Sequence, residues 1–155
     1  MKATGKSSLR LKGDLDSPGT KRDYNRRLFT VVARRYDFIN RLLSFGCDLR
    51  WKRALVRLLP DANAPVCVDV ACGTGDLAER LRKRYHLADI KGVDLTEAML
   101  VRARERLAGA NVKLVLGDMC RLDAGDGSVD ILTGGYALRN APDLVEFLAE
   151  ARRVL

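Results

Sequence analysis

Residues 68–76 read VDVACGTGD, and a second apolar run, IKGVD, closes at Asp94. Few features constrain a chain more. A β-branched run, a glycine loop, a helix-spaced stretch and a second run ending in an acid fit together as a βαβ unit of a parallel sheet. The segment VCVDV is too short for a helix and reads as a buried strand over residues 66–70. Gly73 and Gly75 follow it, at positions where φ can turn positive and where no Cβ keeps a ligand from the backbone. DLAERLRKRY then carries apolar residues at helical spacing, with Asp76 in the first turn, where a carboxylate suits the macrodipole.

Asp94 ends a predicted strand over residues 90–93. It lies roughly 20 residues beyond the loop, the spacing at which a βαβ unit presents an acid to the hydroxyls of a ribose. Thr96 reads as the N-cap of the helix TEAMLVRARERL, which leaves the Asp94 carboxylate free for such a ligand. A nucleoside is therefore the expected ligand. The dinucleotide pattern G-x-G-x-x-G would fall on Ala71, Gly73 and Asp76, the wrong register, so NAD is the weaker candidate. Asp69, two positions before Ala71, can orient loop amides or receive an ammonium, which suits an amino-acid-bearing cofactor such as S-adenosyl-L-methionine.

Other stretches carry a wider likeness: RYDFINRLLSFG and RWK ahead of the first strand, GVDLTEAML after the second, GD at 117–118 and LRN at 138–140. Together with VDVACGTGD they make the chain, from about Phe29 to Leu155, resemble the S-adenosylmethionine-dependent C-methyltransferases of ubiquinone and menaquinone biosynthesis. The resemblance implies an α/β fold, the Rossmann-like sheet of class I methyltransferases, with strand order 3-2-1-4 and helices ahead of it. It implies methylation of a ring carbon of a prenylated hydroquinone. By position it implies that Gly73, Thr74 and Gly75 meet the methionine end, that Asp94 holds the ribose, and that Asp118 with the Met119 amide addresses the adenine. The residues themselves agree at Asp118, since NVKLVLGD is a third short strand followed by an acid able to accept from an exocyclic amine. Asp48 stands where the family usually has His, and Gly135 where it often has Ser.

Methylation at carbon requires an electron-rich ring lined up with the sulfonium methyl, a task of positioning and charge. Arg139 and Asn140 follow the fourth predicted strand, VDILTGG, and so belong at the carboxyl end of the sheet, where open α/β folds bind ligands. A guanidinium does not deprotonate in proteins, so Arg139 is expected to stabilise a phenolate or polarise a bound water, and Asn140 to fix a hydroxyl. Tyr36, in an amphipathic N-terminal helix, matches a position that the resemblance puts near the pocket. Packing against Phe29 or Ile39 would equally account for it. His86, the single histidine, falls at the end of the first crossover helix, away from that pocket, and is not expected to act as a base.

At 155 residues and 47% hydrophobic, the chain has the size of one domain and no run long enough to span a bilayer. Its basic start lacks the apolar stretch of a secretory signal. The cysteines at 47, 67, 72 and 120 show no C-x-x-C or metal spacing, so buried, reduced thiols in a cytoplasmic protein are expected, and no metal. Charge is uneven: residues 1–60 hold 15 Lys and Arg against 5 Asp, a net of +10, whereas the remainder carries −2 of the total +8. Residues 1–22 read as a disordered basic tail, 23–60 as a helical segment on the substrate side, and 61–155 as the cofactor-binding domain. YNRRLFTVVARRYDFINRLL and a further helix from about Asp48 interleave arginines with apolar residues. That pattern suits peripheral contact with an anionic membrane, or two packed helices with a solvated basic face.

A full class I sheet carries more strands than the four that precede PDLVEFLAEARRVL. The resemblance therefore implies an incomplete sheet whose fourth strand is an exposed edge, open to a homo-oligomer or to a completing partner chain. Two other readings stand beside the quinol enzyme: a methyltransferase acting on RNA or another small molecule, and a non-catalytic binding module with a vestigial cofactor loop. The basic half lacks interleaved aromatics and any nucleic-acid-binding motif, so nucleic acid is not favoured as a partner.

Overall fold

The computed structural model describes residues 17–155, and the first 16 residues of the predicted tail lie outside them. Strands β1 (Val66–Val70), β2 (Asp89–Asp94), β3 (Lys113–Leu116) and β4 (Ile131–Thr133) pair in parallel in the order β3-β2-β1-β4. This is the expected order. Alternation along β1 divides the core between the two faces of the sheet, as a period of two requires. Cys67 packs with Ile90 and Ile131 against Ala78 and Leu81 of α4 (Asp76–Arg84) and Ala103 of α5 (Glu97–Arg106). Val68 and Val70 pack on the other face with Val93, Val129, and Phe147 and Val154 of α7 (Leu144–Val154). Burial on both sides is why these strands appear in the sequence as short apolar runs.

From β1 the chain steps outward to β2 and β3, then returns to place β4 on the other side of β1. The reversal opens a crevice at the carboxyl ends of the strands, where ligands bind in open α/β sheets. The loop after β1 lies at its centre. Its backbone turns left-handed at Ala71 (φ 49°), Gly73 (56°) and Gly75 (80°), so the two glycines occupy the conformations expected of them. The Cys72 N–H donates to the Val93 carbonyl at 3.0 Å, which ties the loop to β2.

The N-terminal segment differs from expectation in two ways. Helix α1 (Pro18–Val32) starts inside the predicted tail, because Ser17 forms a capping box with Thr20 and Pro18 takes the first helical position. The single predicted helix that follows is broken by a 3₁₀ turn at Ala33–Arg35, after which α2 (Tyr36–Leu43) runs on to α3 (Cys47–Leu58). That break lets Tyr36 and Asp37 face the glycine loop instead of continuing the stripe of α1. The four cysteines are free thiols; Cys67, Cys72 and Cys120 are buried as expected, but Cys47, at the start of α3, is only half-buried.

Gly75 combines a positive φ with close packing: a Cβ there would lie 3.0 Å from Leu107 Cδ1 and 3.2 Å from Ala103 Cβ. Gly109 has a similar φ of +78° but open space around the same point. Urea unfolding of Gly75→Ala is expected to show a loss of about 2–3 kcal/mol, against about 1 kcal/mol for Gly109→Ala. Equal losses would mean that packing against α5 does not constrain the loop.

Candidate functional site

Two cavities flank the glycine loop. The first runs past Asp94, Thr96, Met99, Asp118 and Met119 and is roofed by Asn25 and Phe29 of α1. The second is lined by Lys52, Asp69, Thr74, Asp76 and Tyr136. Tyr36, Ala71, Gly73 and Gly135 line both, so the cavities meet over the loop.

Asp94 holds the site together from the end of β2. Its Oδ2 accepts from the Gly73 N–H at 2.8 Å and its Oδ1 from the Thr96 N–H at 2.9 Å. The carboxylate is therefore not free, contrary to the sequence reading: Thr96 occupies the N-cap position but makes no side-chain cap bond, and Asp94 takes the amide two residues on, as Asp side chains readily do. Each oxygen keeps a second lone pair for a ligand. Burial raises the Asp94 pKa, and the bonds from Gly73 and Thr96 oppose that rise.

Asp69 is more deeply placed, at 1% exposure. Its Oδ1 accepts from Thr133 Oγ1 at 3.0 Å, while its Oδ2 is buried without a hydrogen-bond partner among the described residues. Burial pushes the carboxyl up to about 7, with the Asp94 and Asp76 charges adding to the rise and the Thr133 bond and Lys52 opposing it. Its bonded partner is a β4 hydroxyl, not a loop amide, because the side chain projects from within the sheet, where β4 is its neighbour.

Around these acids lies a set of charge pairs that sequence reasoning missed. Thr74 Oγ1 donates to Asp37 Oδ1 at 2.7 Å and accepts from Arg106 at 3.1 Å, so α2 and α5 both clamp the loop. Lys52 of α3 bonds Asp76 Oδ2 at 2.8 Å. Burial works against the Asp76 charge, but the Lys52 bond with the Lys52, Arg80 and Arg106 charges holds its pKa below the usual value. Asp118 Oδ1 accepts from the Cys120 N–H at 3.0 Å, and its Oδ2 from Arg22, which also reaches Glu146. Asp37 and Lys52 sit in RYDFIN and RWK, so those stretches held a signal. Arg22 fell in the predicted tail and gave none.

Of the residues expected on the substrate side, Asn140 lines the first cavity, held by its side-chain bond to the Tyr136 carbonyl at 3.2 Å and by Asn25, which donates to the Asn140 carbonyl at 2.7 Å. Arg139 is exposed outside both cavities, with its guanidinium 5.9 Å from the Tyr136 ring centroid. Successive residues of the short helix α6 (Ala137–Asn140) point about 100° apart, which turns one inward and the other out. Tyr36 does both things considered for it: it packs edge-to-face on Phe29 at 5.8 Å and borders both cavities.

The ubiE/COQ5 methyltransferase family model matches residues 18–155. This chain belongs to that family. Within it, the demethylmenaquinone methyltransferase of Thermus thermophilus is 40% identical over 130 residues, covering 83% of this chain and 59% of its own length. The enzyme of the same name from Thermotoga maritima is 36% identical over 137 residues, covering 88% and 59%. The chain thus spans little more than half the length of these ubiE/COQ5 relatives. Among solved structures, a Haloferax volcanii complex of a methyltransferase with its Trm112 activator is similar in fold at TM-score 0.70, with 23% identity over 82% of this chain and 55% of that one. An S-adenosylmethionine-dependent methyltransferase from Mesorhizobium loti matches at TM-score 0.58, with 26% identity over 66% and 47%. The sheet order and helices of this ubiE/COQ5 member are those of class I S-adenosylmethionine methyltransferases.

The raised pKa of Asp69 makes stability depend on pH. Folding retains a proton that the unfolded chain, with a carboxyl near 3.8, has released, so stability present below about pH 4 is lost as pH rises through about 7. Asp69→Asn removes this loss. Its melting temperature is expected to exceed that of the parent by an amount that grows between pH 5 and pH 8, reaching several degrees. A constant difference across that range would contradict the burial argument.

Proposed function

We propose that this chain binds S-adenosyl-L-methionine across the two cavities and serves the methylation of a ring carbon of a prenylated hydroquinone. The observation that carries the reading is the disposition of two acids about one loop: Asp94 bonded to the Gly73 amide on one side, and the unpartnered Asp69 oxygen on the other. A ribose suits the first and an ammonium the second, a pairing that fits this cofactor and not a dinucleotide. The names of the relatives from Thermus thermophilus and Thermotoga maritima support the substrate class.

In this reading Asp94 holds the ribose hydroxyls, and Gly73, Thr74 and Gly75 meet the methionine end. Asp118 and the Met119 amide take the adenine once Arg22 yields its place. When bound, the cofactor supplies an electrophilic sulfonium methyl for in-line displacement. Asn140 and Tyr36 fix the ring and its hydroxyl, and Arg139, outside both cavities beside the Tyr136 ring, stabilises the developing phenolate or polarises a water where the ring enters. Residues 23–60 form the substrate side and 61–155 the cofactor-binding part.

No helix among the described residues is long and apolar enough to cross a membrane. A prenylated substrate would be met at a surface. Helices α2 and α3 and the turn between them expose Phe38, Leu42, Leu43, Phe45, Trp51 and Leu58 beside Arg41, Arg50, Arg53 and Arg57. We read this as a face for peripheral contact with an anionic membrane on the cytoplasmic side. The outer side of β4, an edge of the described sheet, is open to pairing with another chain. Co-sedimentation with anionic but not neutral vesicles is the expected result, and equal binding to both would exclude the charge-led contact.

Transfer of a labelled methyl group from S-adenosylmethionine to a soluble hydroquinone tests the reaction. The parent chain is expected to turn over, and Arg139→Ala to lose turnover by at least about tenfold with cofactor affinity held within about twofold. Unchanged turnover would remove Arg139 from the mechanism, and no transfer by a chain that binds the cofactor would confine the function to binding.

A further inference from the structure

The second cavity offers more than an acceptor for an ammonium. Lys52 enters it from α3, outside the sheet, with its side chain 14% exposed. Its Nζ lies 2.8 Å from Asp76 Oδ2 and 3.8 Å from Asp48 Oδ2. The first is a hydrogen bond, and the second is too long to be one. An ammonium has three protons, so donor capacity remains on Lys52 toward the cavity. Asp69 lines the same space, 1% exposed and with an Oδ2 that has no hydrogen-bond partner among the described residues. The cavity thus presents a carboxyl acceptor and a cationic donor, the complement of the ammonium and carboxylate of an α-amino acid. The neutral Tyr36 and Gly135 walls join it to the first cavity, where the adenosine would lie.

We infer that Lys52 is a specificity-determining residue that takes the carboxylate of the cofactor's amino-acid end while Asp69 takes its ammonium, so that the site selects adenosines carrying an intact amino acid over those without one. The inference rests on the cofactor reading above. A purely structural role would leave Lys52 as a link between α3 and α4 through Asp76. The two roles predict different ligand dependence, because a link supports every ligand of the loop equally.

Calorimetry on the 155-residue chain separates them, with S-adenosylhomocysteine and 5′-methylthioadenosine, which lacks the amino acid, as probes. Lys52→Met is expected to weaken S-adenosylhomocysteine by about tenfold or more, as loss of a charge-assisted bond should, and to leave 5′-methylthioadenosine within about twofold. Lys52→Arg should restore most of the difference. A second measurement needs no substitution: decarboxylated S-adenosylhomocysteine should bind the parent chain about tenfold more weakly than the intact compound. Equal weakening of both probes by Lys52→Met, or equal affinity of the parent chain for the intact and decarboxylated compounds, would overturn the assignment while leaving the cofactor reading in place. Failure of the parent chain to bind any adenosine would overturn both.

Discussion

The two hydrogen bonds accepted by Asp94 connect most of what this structure does. One fixes Gly73 and thereby the loop after β1; the other fixes the start of α5 at Thr96. Without a carboxylate at that point, the buried Thr96 amide and the part-buried Gly73 amide would be left to find other partners, and burial makes such groups costly to leave unpaired. The loop conformation, with three left-handed residues within five positions, is therefore held by a side chain from the neighbouring strand. The same side chain borders the first cavity. The loop's conformation and the cavity's lining thus share one group.

Charge is arranged around the loop in layers. Closest in, Asp69 is held with one oxygen unsatisfied. Next come clamps from different helices: Asp37 and Arg106 on Thr74, and Lys52 on Asp76. Farther out, α1 closes the first cavity through Arg22 on Asp118 and Asn25 on the Asn140 carbonyl. Each clamp brings in an element distant in sequence, so the loop senses the position of α1, α2, α3 and α5 together. A ligand that competes with Arg22 for Asp118 would loosen α1 as it enters.

The sheet was legible because its cause is local. VCVDV and NVKLVL carry their β-branched residues in runs bounded by glycine or acid, and the crossover helices show their apolar spacing within a single turn or two. Asp94 was legible for the same reason, through its distance from the glycines. What stayed hidden depends on pairs far apart in the chain: Arg22 with Asp118, Asp37 with Thr74, and Lys52 with Asp76. No periodicity reports such partners. The start of α1 was present in Ser17, Pro18 and Thr20 but was masked by the polar composition around it. The outward turn of Arg139 depended on the phase of α6, a helix too short to show a pattern.

In the proposed reading, the glycine loop with Asp69 and Asp94 forms a site for an amino-acid-bearing adenosine. Calorimetric titration of the folded chain with S-adenosylmethionine, with NAD as the control, tests it most directly. Saturable binding of S-adenosylmethionine in the micromolar range and none of NAD is the expected result. A folded chain that binds neither, or both alike, would contradict it.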